Sequence, residues 1–154
     1  MAAPTMSYLI CSMGLVVLII IMPFFFAMER NSIAEEMAKR ELTEVSDYTS
    51  STLGNLFFLA NSTNSQKLDV TKKLLSLPPT VEGSFYKLNI TSTEDPDVLK
   101  VTAFLKDKQW IAGDSWLVPG LRLLNMSEVE IRGGSVTAGC RRDSSGFSVW
   151  LGES

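Results

Sequence analysis

The chain has 154 residues with 14 Lys or Arg against 17 Asp or Glu, a formal net charge of −3, no histidine and two cysteines. That balance leaves no basic face for nucleic acid. The missing imidazole removes the commonest general base and metal ligand near neutral pH, and two cysteines are too few for a disulfide framework.

No charged side chain appears before Glu29, and positions 6–28 read MSYLICSMGLVVLIIIMPFFFAM. At 1.5 Å rise per residue this segment makes a helix of about 34 Å, enough to cross a hydrocarbon core of about 30 Å with a little tilt. A cleaved secretory signal carries a basic start, about 7 to 15 apolar residues and a small-residue cleavage site. Here no Lys or Arg precedes the run, which is longer, and Met22, Pro23, Phe24, Phe25 and Phe26 stand where small residues would be cut. The expectation is an uncleaved anchor over 1–28, kinked near Pro23, which removes one backbone hydrogen bond. Its packing face, for lipid or for other copies of the chain, runs through Gly14, Val17, Leu18 and Ile21.

Positions 29–60 contain no proline, so the helix is expected to continue as an amphipathic stalk. Ala38, Leu42, Val45, Thr49, Thr52, Leu56 and Leu59 alternate steps of four and three, a heptad-like seam. Ser46–Asn55 is poor in helix formers and includes Gly54, which predicts a kink or break there. Segment 61–82 is expected to hold a turn and a short helix over Lys67–Leu77, with Leu68, Thr71, Leu74 and Leu75 at helical spacing and Pro78-Pro79 as the stop.

Beyond Gly83 the period changes to two. Strands are expected at 84–92, 98–106 and 109–118 as an antiparallel meander, then at 127–132, 135–141 and 147–151, with a hairpin at Asp143–Gly146. A head of this size, 83–154, buries too little alone and needs a cover. The nearest apolar material is Leu53, Leu56, Phe57, Phe58 and Leu59, which predicts a helix laid across the sheet with Trp110, Trp116 and Trp150 as core bulk, or with one of the three as an exposed contact for a partner. The fold class expected is thus α+β: a long membrane-spanning helix continuing into a stalk, packed on a small antiparallel sheet.

Three Asn-x-Ser/Thr sequons, at Asn61, Asn89 and Asn125, exceed chance for six asparagines and point to a C-terminal part outside the cytoplasm. The few basic residues after the apolar run, Arg30, Lys39 and Arg40, weakly oppose that topology. No chemistry emerges from the remaining residues. The helix carboxylates read as a solvated face, Asp95, Asp97, Asp107 and Asp114 match no calcium loop, Gly133-Gly134 leads to no helix, and Cys140 has no activating partner. No catalytic residue, metal or cofactor is therefore expected.

The layout of apolar N-terminal helix, amphipathic stalk and β head, with the passage SLPPTVEGSFYKLNIT from Ser76 to Thr91 leading into the head, resembles archaeal type IV pilin-like membrane proteins. The chain departs from bacterial-type pilins in having Thr5, Met6, Ser7 and Tyr8 where those place a Glu. The resemblance implies a non-enzymatic, single-pass surface protein: a structural subunit, or an assembly or adhesion partner, of a filament or envelope complex. Its partners would be the bilayer and other subunits met through the N-terminal helix. The alternative is a sensory or ligand-binding ectodomain, or an accessory subunit of a membrane complex.

Overall fold

A computed structural model of the chain describes residues 3–63, 65, 67–93, 95, 98–124, 127–132 and 135–153. Its order is one helix, α1 (Ala3–Ser62), followed by β1 (Leu68–Leu74), β2 (Tyr86–Ser92), β3 (Leu99–Leu105), β4 (Ala112–Trp116), β5 (Leu121–Leu123), β6 (Ser127–Ile131), β7 (Val136–Asp143) and β8 (Gly146–Glu153). The fold is α+β, and α1 is apolar enough near its start to span a membrane. The chain divides into two compact units, Met1–Glu36 and Met37–Ser154.

The first unit is helix alone. Pro23 lies inside it, and the helix continues through that residue.

In the second unit the rest of α1 buries Ala38, Leu42, Val45, Ser46, Thr49, Thr52, Leu53, Leu56 and Ala60. The expected seam is there with one correction: Leu59 is 55% exposed. A straight helix of 3.6 residues per turn drifts about 20° per heptad against a strict seven-residue repeat. After three heptads the buried stripe has moved from Leu59 to Leu53 and Ala60.

The expected break between Ser46 and Asn55 does not occur. Hydroxyls that compete with the helix in isolation are used by it or by the sheet here. Thr49 Oγ1 donates to the Val45 carbonyl at 2.8 Å, and Ser50 Oγ lies 2.7 Å from Ser115 Oγ. Ser46 Oγ accepts the Ala103 N–H at 3.1 Å and donates to the Gly113 carbonyl at 2.7 Å, bridging β3 and β4. Tertiary contacts of this kind outweigh weak helix propensity.

Two four-stranded sheets, rather than one, form the remainder, in the orders β1-β7-β8-β5 and β4-β3-β2-β6. Every pair is antiparallel except β5 with β8, which is parallel. The inward sides supply Tyr86, Leu88, Ile90, Leu99, Val101, Ala103, Val129 and Ile131 from one sheet and Val136, Ala138, Cys140, Val149 and Leu151 from the other. Phe57 of α1 is partly buried and meets Phe147 of β8 edge-on, with centroids 4.9 Å apart. The segment expected as a short helix after the Asn61 turn is instead strand β1, paired with β7 from Leu68↔Arg142 to Leu74↔Val136. Its local spacing fits either period, and a full-length partner strand decides between them.

The tryptophans are also corrected. Trp110 is 73% and Trp116 63% exposed, and Trp150 lies over Gly139, where a Cβ would sit 2.2 Å from its ring. In β4 the residues turned inward are Gly113 and Ser115, because α1 runs directly over them: a Cβ on Gly113 would lie 2.2 Å from Thr43 N. Alternation then sends Trp116 outward.

Cross-strand ion pairs cover the outer side of β4-β3-β2-β6: Lys87–Glu128 at 2.6 Å, Lys100–Asp114 at 2.9 Å and Lys106–Glu130 at 2.8 Å. Hydrogen bonds from Arg132 and Lys106 hold the Glu130 carboxyl down to about 2.

Gly113→Ala forces the helix off the sheet and is expected to cost about 3 kcal/mol, whereas Ser46→Ala, which removes two buried hydrogen bonds between α1 and the strands, costs about 1–3 kcal/mol. Chemical denaturation of the detergent-solubilised chain measures both, and an unchanged midpoint for Gly113→Ala would refute the backbone contact. Because the Glu130 pKa is depressed on folding, its contribution is present above pH 4.5 and is lost as pH falls toward about 2. Glu130→Gln should flatten stability across that window, with a small effect at neutral pH because the pairs are exposed.

Candidate functional site

In the first unit the most apolar 18-residue stretch of α1 has a mean hydropathy of 2.8, and none of it is buried inside the protein. The expected packing residues Gly14, Val17, Leu18 and Ile21 lie along one concave strip of about 570 Å³, continued by Met22, Phe25, Phe26 and Glu29. A Cβ on Gly14 would meet nothing within 4 Å, so the strip is open at that point. A small residue beside branched ones lets another helix or an acyl chain approach closely. The strip offers no hydrogen-bonding group until Glu29, so its chemistry is limited to apolar contact.

Cys140 is buried in β7, and burial, then the negative charge of Asp69, pushes its thiol up to about 11. It is a core residue with almost no thiolate near neutral pH. Burial also raises the Tyr86 hydroxyl, which donates to the Pro78 carbonyl at 2.7 Å. Among the described residues no group of three or more His, Cys, Asp or Glu gathers at metal-binding distance. Asp114, one of the four acids considered for calcium, is held by Lys100, and Asp97 lies outside the described residues.

Two clefts remain. One, of about 480 Å³, is lined by Glu41, Glu44, Val45 and Tyr48 of α1 and by Ser76, Leu77, Pro78 and Thr80. The other, of about 350 Å³, lies over Lys67, Leu68, Asp69, Arg141, Arg142 and Asp143. Its cations serve the fold. Arg141 pairs with Asp69 across β7 and β1 at 2.8 Å, which raises the guanidinium pKa, and Arg142 donates to the Thr63 carbonyl at 2.8 Å beside the end of α1.

Of the sequons, Asn61 is exposed in the last turn of α1, and Asn89 is half-buried in mid-β2, opposite Thr102 and Glu128. Asn125 lies outside the described residues. Of the residues expected to pack helix on sheet, Leu53 and Leu56 are core, Phe57 is partly buried and Leu59 faces outward. Phe85 falls on the outward face of its strand, as its alternation with Tyr86, Leu88 and Ile90 predicts, whereas the exposure of both Trp110 and Trp116 departs from the expectation of a tryptophan-rich core. The signal available was the polar turn Asp107-Lys108-Gln109 immediately before Trp110.

With the geometry in hand, the chain was compared with protein-family models, with curated proteins and with solved structures, and it matches none of them.

In a Cys11→Ser variant the remaining thiol of the folded protein should stay unmodified by iodoacetamide at pH 8 and react once guanidinium unfolds the chain. Prompt native-state alkylation, followed by mass, would show that Cys140 is not enclosed. The folded protein should also lose stability as pH rises from 9 toward about 11, because the unfolded thiol ionises first.

Proposed function

We propose that this is a non-enzymatic, single-pass membrane protein whose β unit stands outside the cytoplasm, built on the plan of archaeal type IV pilin-like proteins. It would act as a structural, assembly or adhesion subunit of a filament or envelope complex. One observation carries the reading: the most apolar stretch of α1 is not buried against any part of its own chain. Exposed side chains such as Leu15, Val16, Leu18, Ile19, Ile20 and Phe24 must be covered by lipid or by other helices. The same strip suits both, since a helix moved from bilayer to filament exchanges acyl contacts for contacts with neighbouring copies.

The second unit fits the role of a displayed domain. Its buried side-chain polar atoms all have hydrogen-bond partners among the described residues, and Asn61 offers an exposed acceptor for glycan. The organisation of apolar helix followed by β unit supports the pilin-like reading, and the sequons support the extracytoplasmic placement.

The test is membrane extraction followed by electron microscopy of the native material. The chain should resist alkaline carbonate, and Leu18→Lys should release it, since a lysine at mid-span costs about 2.5–3.5 kcal/mol of insertion. Filaments that label with antibody to the β unit would establish the pilin-type role, and a solely monomeric bilayer species would oppose it. Protease shaving of intact cells should remove the β unit, while full protection would place it in the cytoplasm and defeat the surface reading.

A further inference from the structure

The strongest unexplained feature lies at one end of the second unit. Helix α1 enters this unit at Met37, and its first buried side chain is Ala38. Ser46 bonds to Gly113, Ser50 meets Ser115, and Gly54 faces Val118 at 3.7 Å, so α1 and β4 run in the same direction. The turn before β4, which contains Trp110, is therefore at the end where the helix enters. The Lys106 N–H donates to the Phe85 carbonyl at 3.0 Å, and Tyr86 pairs with both Leu105 and Ile131, which brings Phe85 and Arg132 to the same end. A tight turn, Val81–Ser84, with positive φ at Glu82 (48°) and Gly83 (74°), completes it.

Trp110 is 73% and Phe85 46% exposed at this end, whereas their neighbours Tyr86, Leu105 and Ile111 are buried. The charges around them cancel: Glu130 is shared by Lys106 and Arg132, and Glu82, Asp107 and Lys108 flank the turns, three of each sign. Such a surface has aromatic reach without electrostatic preference. Tryptophan, with an apolar body and one N–H, is the side chain most enriched where hydrocarbon meets water.

The chain itself limits what this end can touch. Only Glu29–Glu36 separates Met28, the last residue of the uninterrupted uncharged run, from the second unit. Those residues rise about 12 Å as helix and span no more than about 28 Å fully extended. The headgroup zone beyond the hydrocarbon is itself about 5–8 Å deep.

We propose that the end of the β unit bearing Trp110 and Phe85 rests in the headgroup zone of the bilayer crossed by α1, with Trp110 as its anchor. This rests on the membrane-anchored reading above. The contact is aromatic, so it forms on zwitterionic lipid and withstands salt. It sets the height and tilt of the β unit over the surface, and withdrawal of the helix from the bilayer would break it.

The test uses the full chain in phosphatidylcholine vesicles carrying a nitroxide either near the headgroup or at mid-bilayer. Cys11 is labelled in detergent with a permeant fluorescent maleimide, Cys140 being enclosed. The expected result is quenching of tryptophan emission by the shallow nitroxide, lost in Trp110→Phe and kept in Trp116→Phe, together with quenching of the Cys11 probe by the deep nitroxide. Trp116 suits the control, since it lies at the other end of β4 with the Lys100 ammonium 6.0 Å from its ring centroid. A quenched Cys11 probe with Trp110 open to aqueous iodide overturns the docking and leaves the anchor standing, while an unquenched Cys11 probe overturns both. Quenching that needs anionic lipid and vanishes in salt refutes an aromatic contact. Shielding of Trp110 from iodide that persists in detergent assigns the patch to a second copy of the chain.

Discussion

The second unit depends on how closely α1 can approach β3 and β4. At Gly113 the helix backbone and the strand backbone are in contact, and the Ser46 hydroxyl fills the place a larger side chain would need while bonding to both strands. That contact explains the polar half of the buried stripe. Ser46, Thr49 and Thr52 are small enough to let the helix settle on the sheet, and Ser46 and Thr49 carry oxygens that find partners at once. An all-leucine stripe would hold the helix farther off, because interhelix and helix–sheet spacing follows side-chain size.

The same constraint explains what could and could not be read from the sequence. The order of helix then strands, the stripe through Ala38, Leu42, Val45, Thr49, Thr52 and Leu56, and the hairpin at Asp143–Gly146 all follow from local periodicity and turn chemistry. What escaped is non-local. Tryptophans look like core material until the inward positions of β4 are seen to need Gly113 and Ser115. β1 looks helical until β7 is laid along it, and β5 is too short to show a period at all. Leu59 fails for a geometric reason, since a seam counted in sevens does not follow a straight helix. Positions 14, 17, 18 and 21 of the first unit share a helix face whatever surrounds them, so helical spacing alone groups them.

The two units differ in what they leave unsatisfied. In the second, buried side-chain polar atoms of the described residues have partners, and Lys87, Lys100 and Lys106 on the outer side of one sheet are paired with acids of other strands. In the first, the open demand is apolar, along the strip from Gly14 to Phe26. Binding energy available to this chain is therefore mostly that of removing hydrocarbon-like surface from water, a non-directional force that favours lipid and repeated copies over a single shaped ligand.

The strand order has a consequence for biosynthesis. β7 and β8 lie at the centre of their sheet, between β1 and β5, and Arg142 of β7 reaches back to the Thr63 carbonyl, where α1 has no basic residue in its own last turn. The strands made last thus complete the elements made first. During translation β1 waits, unpaired, for β7, whose register partners lie 62 (Leu74↔Val136) to 74 (Leu68↔Arg142) residues farther along, the buried stripe of α1 waits for β3 and β4, and long loops of this kind close slowly. An apolar helix waiting that long in water would invite aggregation. Early delivery of α1 to a lipid environment would keep it harmless during the wait, so the order of the chain favours insertion first and folding of the β unit second.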